Sequence, residues 1–337
     1  MARPSARLVL FCMCGVLILR PHDNCLHRST AAAYAPTSTG RRASVGLFAA
    51  QAAAPSTCNA KMAPDDRAIG RAPEFGPFTF HSGTEQQLLE MVKERLAVAS
   101  APAATRGAAP PVAEAEVLSA IDDFCWHRHW MMNVGDVKGA ILDEAVRQRV
   151  AAFSTSVNTN RSFRALELGT YVGYSTVRIA RLLPPSAILI SADPDRVWQG
   201  IASEVVELAG YSGRVELERQ TAEQVTDMLR KKGAGLDFVF IDHDKADYLP
   251  SLVRLERAGL LNPGCTVVAD NVKIFRIDDY LHHVRTSGLY KSQYVESSLE
   301  YTPLLDYVSS GPGSSRSIAD AMEISVYAPS QRAPKNR

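Results

Sequence analysis

From Phe163 onward the sequence alternates short apolar runs with longer stretches of helical periodicity, and this alternation constrains the fold more than any other feature. The runs are "RALEL" (164–168), "AILISAD" (187–193), "RVELE" (214–218), "LDFVFID" (236–242) and "CTVVAD" (265–270). A strand wetted on one face alternates apolar with polar residues, whereas a strand covered on both faces is apolar almost throughout. Runs of the second kind separated by helices predict a mostly parallel, doubly wound α/β sheet with helices on both faces. Two later runs, near 290–297 and 322–327, complete seven strands. Ahead of the sheet, apolar residues recur at helical spacing in three segments: Leu88 to Leu96, Val117 to Cys125 and Ile141 to Val150. Between the first two lies "AVASAPAATRGAAPP" (97–111), whose Ala/Pro composition predicts an irregular insertion.

In a doubly wound sheet, ligands bind outside the carboxyl ends of the strands. That rule selects Glu167 to Gly169, Asp193, Asp242 and Asp270. "ELGTYVGYS" (167–175) turns a strand into a helix through Gly169 and Gly173, which permit close backbone approach to a ligand at a helix N-terminus. The spacing is not the G-x-G-x-x-G of dinucleotide proteins, which opposes a nicotinamide oxidoreductase. Asp193 ends the next strand, where a carboxylate accepts both hydroxyls of a ribose, so an adenosyl ligand fits. A tight strand-to-helix turn is the bland alternative for the glycines.

Asp242 ends one strand, and Asp270 with Asn271 ends the next. If these strands are neighbours, two carboxylates and an amide oxygen converge as hard ligands suited to magnesium or calcium, the alternative being solvated helix N-caps. Lys245 faces the same rim; a cation beside a lysine disfavours the ammonium form and allows it to act as a base. Taken singly, Lys245, His243 and Glu300 have ordinary readings as a surface counter-ion, a capping residue and a loop acid.

The chain carries 37 basic and 36 acidic residues, a balance that offers no electrostatic case for a nucleic-acid partner. Its six cysteines show neither zinc spacing nor a disulfide framework. At the N-terminus, Arg3 and Arg7 precede "LVLFCMCGVLIL" (8–19) and small residues follow at 31–33, as in a secretory signal peptide (1–30). An uncleaved anchor, the one route to a membrane, is the alternative. Residues 25 to 64 are basic and acid-free, so 31–81 reads as a transit-type leader or a disordered linker, and 329–337 as a disordered tail. "AAAYAP" (31–36) resembles the presequence junction of proteins sent to algal secondary plastids. Secretion, an endomembrane lumen and such a plastid are the expected destinations; a leader of no special destination is the alternative.

"WMMNVGDVKG" (130–139), "LELGTYVGYSTVRIARLL" (166–183), "IDHDKADYLP" (241–250), "GLL" followed by "VVADNV" (259–272) and "SSLEY" (297–301) together resemble the catechol O-methyltransferase family, across a domain of 82–328. The resemblance implies a Rossmann-like methyltransferase fold; a monomer is the expected state. It implies S-adenosylmethionine bound by Met132, Val134, Glu167, Gly169, Tyr171, Ser175, Asp193 and Asp242, with Ala222 at an adenine-side position and His243 near the adenine. Magnesium would be held by Asp242, Asp270 and Asn271, and Trp130 would form a wall of the acceptor pocket. The two hydroxyls of a catechol-like small molecule would complete the metal's shell, with Lys245 as general base and Glu300 on the second hydroxyl.

This chain departs from the family pattern at the acceptor. Asp244 stands where the family has a wall tryptophan, Phe275 where it has a proline, and Ala222-Glu223 where it has Ser-Gln. A carboxylate cannot replace an apolar wall, which suggests as a hypothesis that Asp244 favours acceptors bearing a cationic amine, or larger polar ones. The rival reading is an interaction protein that keeps the cofactor fold with a reduced acceptor pocket. Retention of Asp242, Lys245, Asp270, Asn271 and Glu300 argues against it.

Overall fold

The structure, a computed structural model, describes residues 11–13, 16–18, 83–99, 113–155, 161–301 and 317–329. The chain divides into two compact units, Met1–Asp66 and Arg67–Arg337. In the first, β1 (Phe11–Met13) and β2 (Val16–Ile18) pair antiparallel. The rest of the expected presequence lies outside the described residues. No helix among the described residues is long and apolar enough to cross a membrane.

The second unit opens with α1 (Thr84–Ala99), α2 (Ala113–His127) and α3 (Gly135–Ser154). Helix α1 extends three residues into the expected insertion, and 100–111 lies outside the described residues. The alternating part then runs β3 (Arg164–Leu168), α4 (Tyr174–Ala180), β4 (Ile188–Ala192), α5 (Arg196–Leu208), β5 (Val215–Glu218), α6 (Ala222–Lys232) and β6 (Leu236–Ile241). After a 3-10 turn at Lys245–Asp247 come α7 (Tyr248–Arg257), β7 (Leu261–Ala269), α8 (Asp278–Thr286), β8 (Tyr290–Ser298) and β9 (Ala319–Tyr327). Strand β7 starts four residues earlier than its sequence run suggests, because Leu261 pairs with Leu236 across a register shift. The turn-forming "NPG" at 262–264 is thereby absorbed into the strand.

The sheet order is β5-β4-β3-β6-β7-β9-β8. The first five strands are parallel, while β9 enters antiparallel between β7 and β8. Strand β6 is buried along its whole length, which explains its nearly unbroken apolar run. Alternate residues face opposite helix layers. Leu166, Leu168, Val239, Ile241, Val267 and Ala269 meet Leu252 and Leu255 of α7 and Tyr280 of α8 in one core. Each such side chain contributes about 1.5–3 kcal/mol on full burial. Toward α3 and α4, the opposite face carries polar positions as well: Glu167 and Ser191 point at Thr176 of α4.

This topology decides where the selected residues meet. Ile241 is in register with Ala269 and Leu168 with Ile241, so Gly169, Asp242 and Asp270 follow three adjoining strand ends. Backbone bonds carry the alignment one residue further: Asp242 N–H donates to Leu168 O at 2.8 Å and Asp270 N–H to Ile241 O at 3.2 Å.

Candidate active site

The rim has two halves. On the β3–β4 side, Gly169 has φ 101° and a side chain there would run into the Asp242 carbonyl, so only glycine lets the loop pass so close to β6. Tyr171 follows with φ 47°, and its N–H donates to Asp193 Oδ2 at 3.1 Å while Asp195 N–H donates to Oδ1 at 2.9 Å. Burial raises the Asp193 carboxyl pKa, and each oxygen keeps a further lone pair for a ligand hydroxyl. Glu167 is fully buried; its Oε2 accepts from Thr176 Oγ1 at 2.5 Å and Ser191 Oγ at 2.6 Å, while Oε1 has no hydrogen-bond partner. Burial pushes this carboxyl up to about 7. An orphaned buried oxygen beneath a glycine loop fits a ligand that brings a donor. Ser175 is buried in the first turn of α4. Met132 and Val134 lie on the connection into α3, and Ala222 opens α6; their apolar side chains offer surface rather than hydrogen bonds.

On the β6–β7 side the site is built from charge. Lys245 Nζ donates to Asp242 Oδ1 at 2.6 Å and to the Tyr248 hydroxyl at 2.7 Å, and Tyr248 donates onward to Asp270 O at 3.2 Å. The ammonium also lies 4.9 Å from the Tyr248 ring centroid and 5.6 Å from that of Phe275. Phe275 thus packs against Lys245 with its other side on the core. His243 stacks on Tyr248 at 5.4 Å, with Nε2 2.9 Å from Ser251 Oγ and Nδ1 buried without a partner. Burial, then the Lys245 charge, lowers its pKa to about 3, so the ring is neutral at physiological pH.

Asp244 is exposed, and its Oδ1 accepts the Ala246 N–H at 3.0 Å, capping the 3-10 turn that carries Lys245. The residue therefore has a structural task at the head of the turn. Trp130 is buried and its Nε1 donates to Glu300 O at 3.0 Å, which ties the indole to the "SSLEY" segment. Gly135, at φ 72°, permits that approach, since a side chain there would come within 2.7 Å of Glu300 Cβ.

Sequence reasoning missed a lysine. Lys138 of α3 is fully buried, with Nζ 2.9 Å from Asp270, 2.8 Å from Glu300 and 2.9 Å from Asp320. The carboxylates hold its pKa well above the ordinary value against the effect of burial. Its signal was available: Lys138 stands four residues before Leu142 and eight before Val146, on the buried face of its helix. Asp320 of β9 was also missed, as was Tyr248 on the buried face of α7. Burial would raise Asp320's carboxyl, but Lys138 and the Asn271 amide outweigh it and hold it below the ordinary range. Burial pushes Asp270 up to about 8, with Lys138 opposing and the charges of Asp242, Glu300 and Asp320 reinforcing. Glu300 is likewise raised by burial.

Among the described residues no three His, Cys, Asp or Glu side chains form a ready metal cage. The expected set is two carboxylates and an amide, and both carboxylates carry an ammonium group. Among the described residues, Asp242, Asp270, Glu300 and Asp320 gather round two ammonium groups, Lys138 and Lys245, and Asp270 and Glu300 answer this crowding with raised pKa values. Oxygen donors gathered in this way could hold a hard divalent cation in place of protons.

A family model described as O-methyltransferase matches residues 145–276. Catechol O-methyltransferase B of Danio rerio is 44% identical over 220 residues, which are 64% of this chain and 74% of that protein. Catechol O-methyltransferase of Mus musculus is 38% identical over 205 residues, 59% of this chain and 73% of the relative. Among solved structures, the O-methyltransferase TomG of Streptomyces achromogenes, crystallised in complex with S-adenosylmethionine, superposes with TM-score 0.50 at 18% identity. It covers 71% of this chain and 97% of its own and shares the fold.

Proposed function

The chain belongs to the catechol O-methyltransferase family and is an O-methyltransferase, and from that premise we propose that it moves the methyl group of S-adenosylmethionine to one hydroxyl of a catechol-like small molecule in a magnesium-dependent reaction. One observation carries the reading: the strand-end acids Asp242 and Asp270 adjoin in a buried cluster of four carboxylates and two ammonium groups, one of which lies 2.6 Å from Asp242.

S-Adenosylmethionine supplies an electrophilic methyl group, and its fit is supported by the Gly169 loop, the orphaned Glu167 Oε1 and the carboxylate of Asp193. Asp242, Asp270 and the Asn271 amide oxygen would hold magnesium, which lowers the pKa of a hydroxyl bound to it. A free phenol has a pKa of about 10, so the nucleophilic phenolate is scarce at neutral pH without such help. The protein's residues do the rest. Lys245, as the neutral amine, takes the proton from the reacting hydroxyl and becomes the ammonium paired with Asp242 beside Tyr248. Glu300 holds the second hydroxyl, and its backbone carbonyl fixes the Trp130 indole as a wall. Methyl transfer needs oxygen, carbon and sulfur in line, so orientation by these groups supplies much of the acceleration. The β3–β4 half positions the donor, the β6–β7 half the acceptor.

Transfer of labelled methyl groups to a 1,2-diphenol and to a matched monophenol, with magnesium and with chelator, tests this reading. Turnover of the diphenol that collapses on chelation is expected. Equal rates on both acceptors, or indifference to chelation, would sink it.

A further inference from the structure

We infer that Asp320 and Lys138 are positioning residues for the metal: Asp320 turns the Asn271 amide so that its oxygen faces the rim, and Lys138 holds Asp320, Asp270 and Glu300 together behind it. The inference rests on the magnesium reading above.

Asn271 is the weak point of the ligand set, because an amide presents an acceptor on one side and a donor on the other, and only the oxygen can ligate a cation. Its Nδ2 donates to Asp320 Oδ2 at 2.9 Å. A carboxylate only accepts, so Asp320 selects the amide nitrogen for itself and leaves the oxygen on the opposite side. The backbone fixes the rest: Asn271 has φ 55°, and its N–H donates to Asp270 Oδ1 at 2.7 Å. Asp320 reaches this place from β9, whose pairing with β7 is prolonged beyond the strand by Val272 N–H to Ala321 O at 3.0 Å.

Asp320 is itself fully committed. It is wholly buried; Oδ2 also accepts from Lys138 Nζ at 2.9 Å, and Oδ1 accepts the Ile274 N–H at 3.2 Å. In Asp320→Asn the new amide would have donors facing both of its ends and could satisfy only one, so the Asn271 amide or the Ile274 backbone must turn away. The Lys138 side chain is buried, and its ammonium touches one carboxylate just after β7, one from the segment after β8 and one from β9. Such a bridge fixes three elements at once, and removing one partner would leave a buried charge uncompensated.

The test separates metal positioning from general stability. Magnesium is titrated calorimetrically into the full-length wild type, into Asp320→Asn and into Asp237→Asn, which alters a buried carboxylate at the far end of β6, with thermal unfolding and S-adenosylhomocysteine affinity measured on each. Outer-shell partners of metal ligands typically contribute ~10–100-fold to affinity, and a loss of that size is expected for Asp320→Asn with cofactor affinity retained. Asp237→Asn should melt lower and bind magnesium as the wild type does. Magnesium affinity unchanged in Asp320→Asn, or lost equally in Asp237→Asn, overturns the inference while leaving the magnesium reading in place. A wild type that binds no magnesium overturns that reading and this inference with it. If Asp320→Asn does not fold, the wild type decides: the side-chain amide protons of Asn271 should stay protected from solvent exchange before and after magnesium is added, and rapid exchange in either state overturns the inference.

Discussion

Asp237 and Asp242 stand at the two ends of β6, five positions apart in one run, and the fold treats their charges in opposite ways. Asp237 accepts from Arg149 at 3.0 Å, from Arg161 at 2.6 and 2.7 Å, from the Asn262 amide at 3.2 Å and from the Arg164 N–H at 3.2 Å. Burial would raise its carboxyl, yet these donors outweigh it and the pKa is lowered. At the other end, Asp242 joins a cluster in which four carboxylates share two ammonium groups and Asp270 is driven up to about 8. A buried acid by itself thus says little about function. What separates a structural ion pair from a site is whether the charge is balanced in the folded chain or waits for something to balance it.

The comparison breaks most visibly if the unbalanced end loses a counter-ion. Lys245→Ala should lower kcat by about 10²–10⁴-fold, the usual contribution of a general base, while S-adenosylhomocysteine affinity stays near wild type. A parallel fall in cofactor affinity would make Lys245 structural and erase the distinction. At the balanced end the loss should fall on stability instead. Asp237→Ala leaves two guanidinium groups without their carboxylate, and denaturant unfolding should show a loss of about 4 kcal/mol with kcat preserved in the folded fraction. If kcat fell as far as for Lys245→Ala, the balanced end would belong to the site.

A third test concerns the donor half. Glu167 moves from 4.5 to about 7 on folding, so the folded state favours its protonated form. The stability it contributes is present below pH 4.5 and is lost as pH rises through about 7. The melting temperature of the ligand-free chain should fall across that window, by an amount corresponding to on the order of 3 kcal/mol, and Glu167→Gln should flatten the dependence. An unchanged profile in the variant would assign the dependence to other groups. The smallest effect is expected at Asp244, which is exposed. Asp244→Asn keeps the cap oxygen and removes the charge. Exposed ion pairs contribute up to ~1 kcal/mol, so the rate ratio of a catecholamine to a catechol acid should fall by about fivefold at most. No change in that ratio would end the proposal that this carboxylate selects cationic acceptors.

Much of the site was legible locally. The strand ends selected Glu167, Gly169, Asp193, Asp242 and Asp270 because periodicity places them at or just beyond the end of a buried run, and the structure lines four of those strands side by side. The helix opening at Tyr248 was equally plain. Lys138 was less so: a charged residue on a buried helical face is visible as an anomaly, but its partners lie 132, 162 and 182 positions away. Asp244 was legible only as a departure from the family, and its capping of the turn needed coordinates.

The sequence by itself determined which segments are strands, which loop passes close to the sheet, and to which family the motifs belong, since each of these is written within a few consecutive residues whose backbone preferences and burial are local. Only the tertiary structure decided which acids are neutralised and which are left in excess. The potential at Asp237 or Asp270 is a sum over charges carried in from α3, β9 and the segment after β8, and a sum over neighbours exists only once the chain has chosen them.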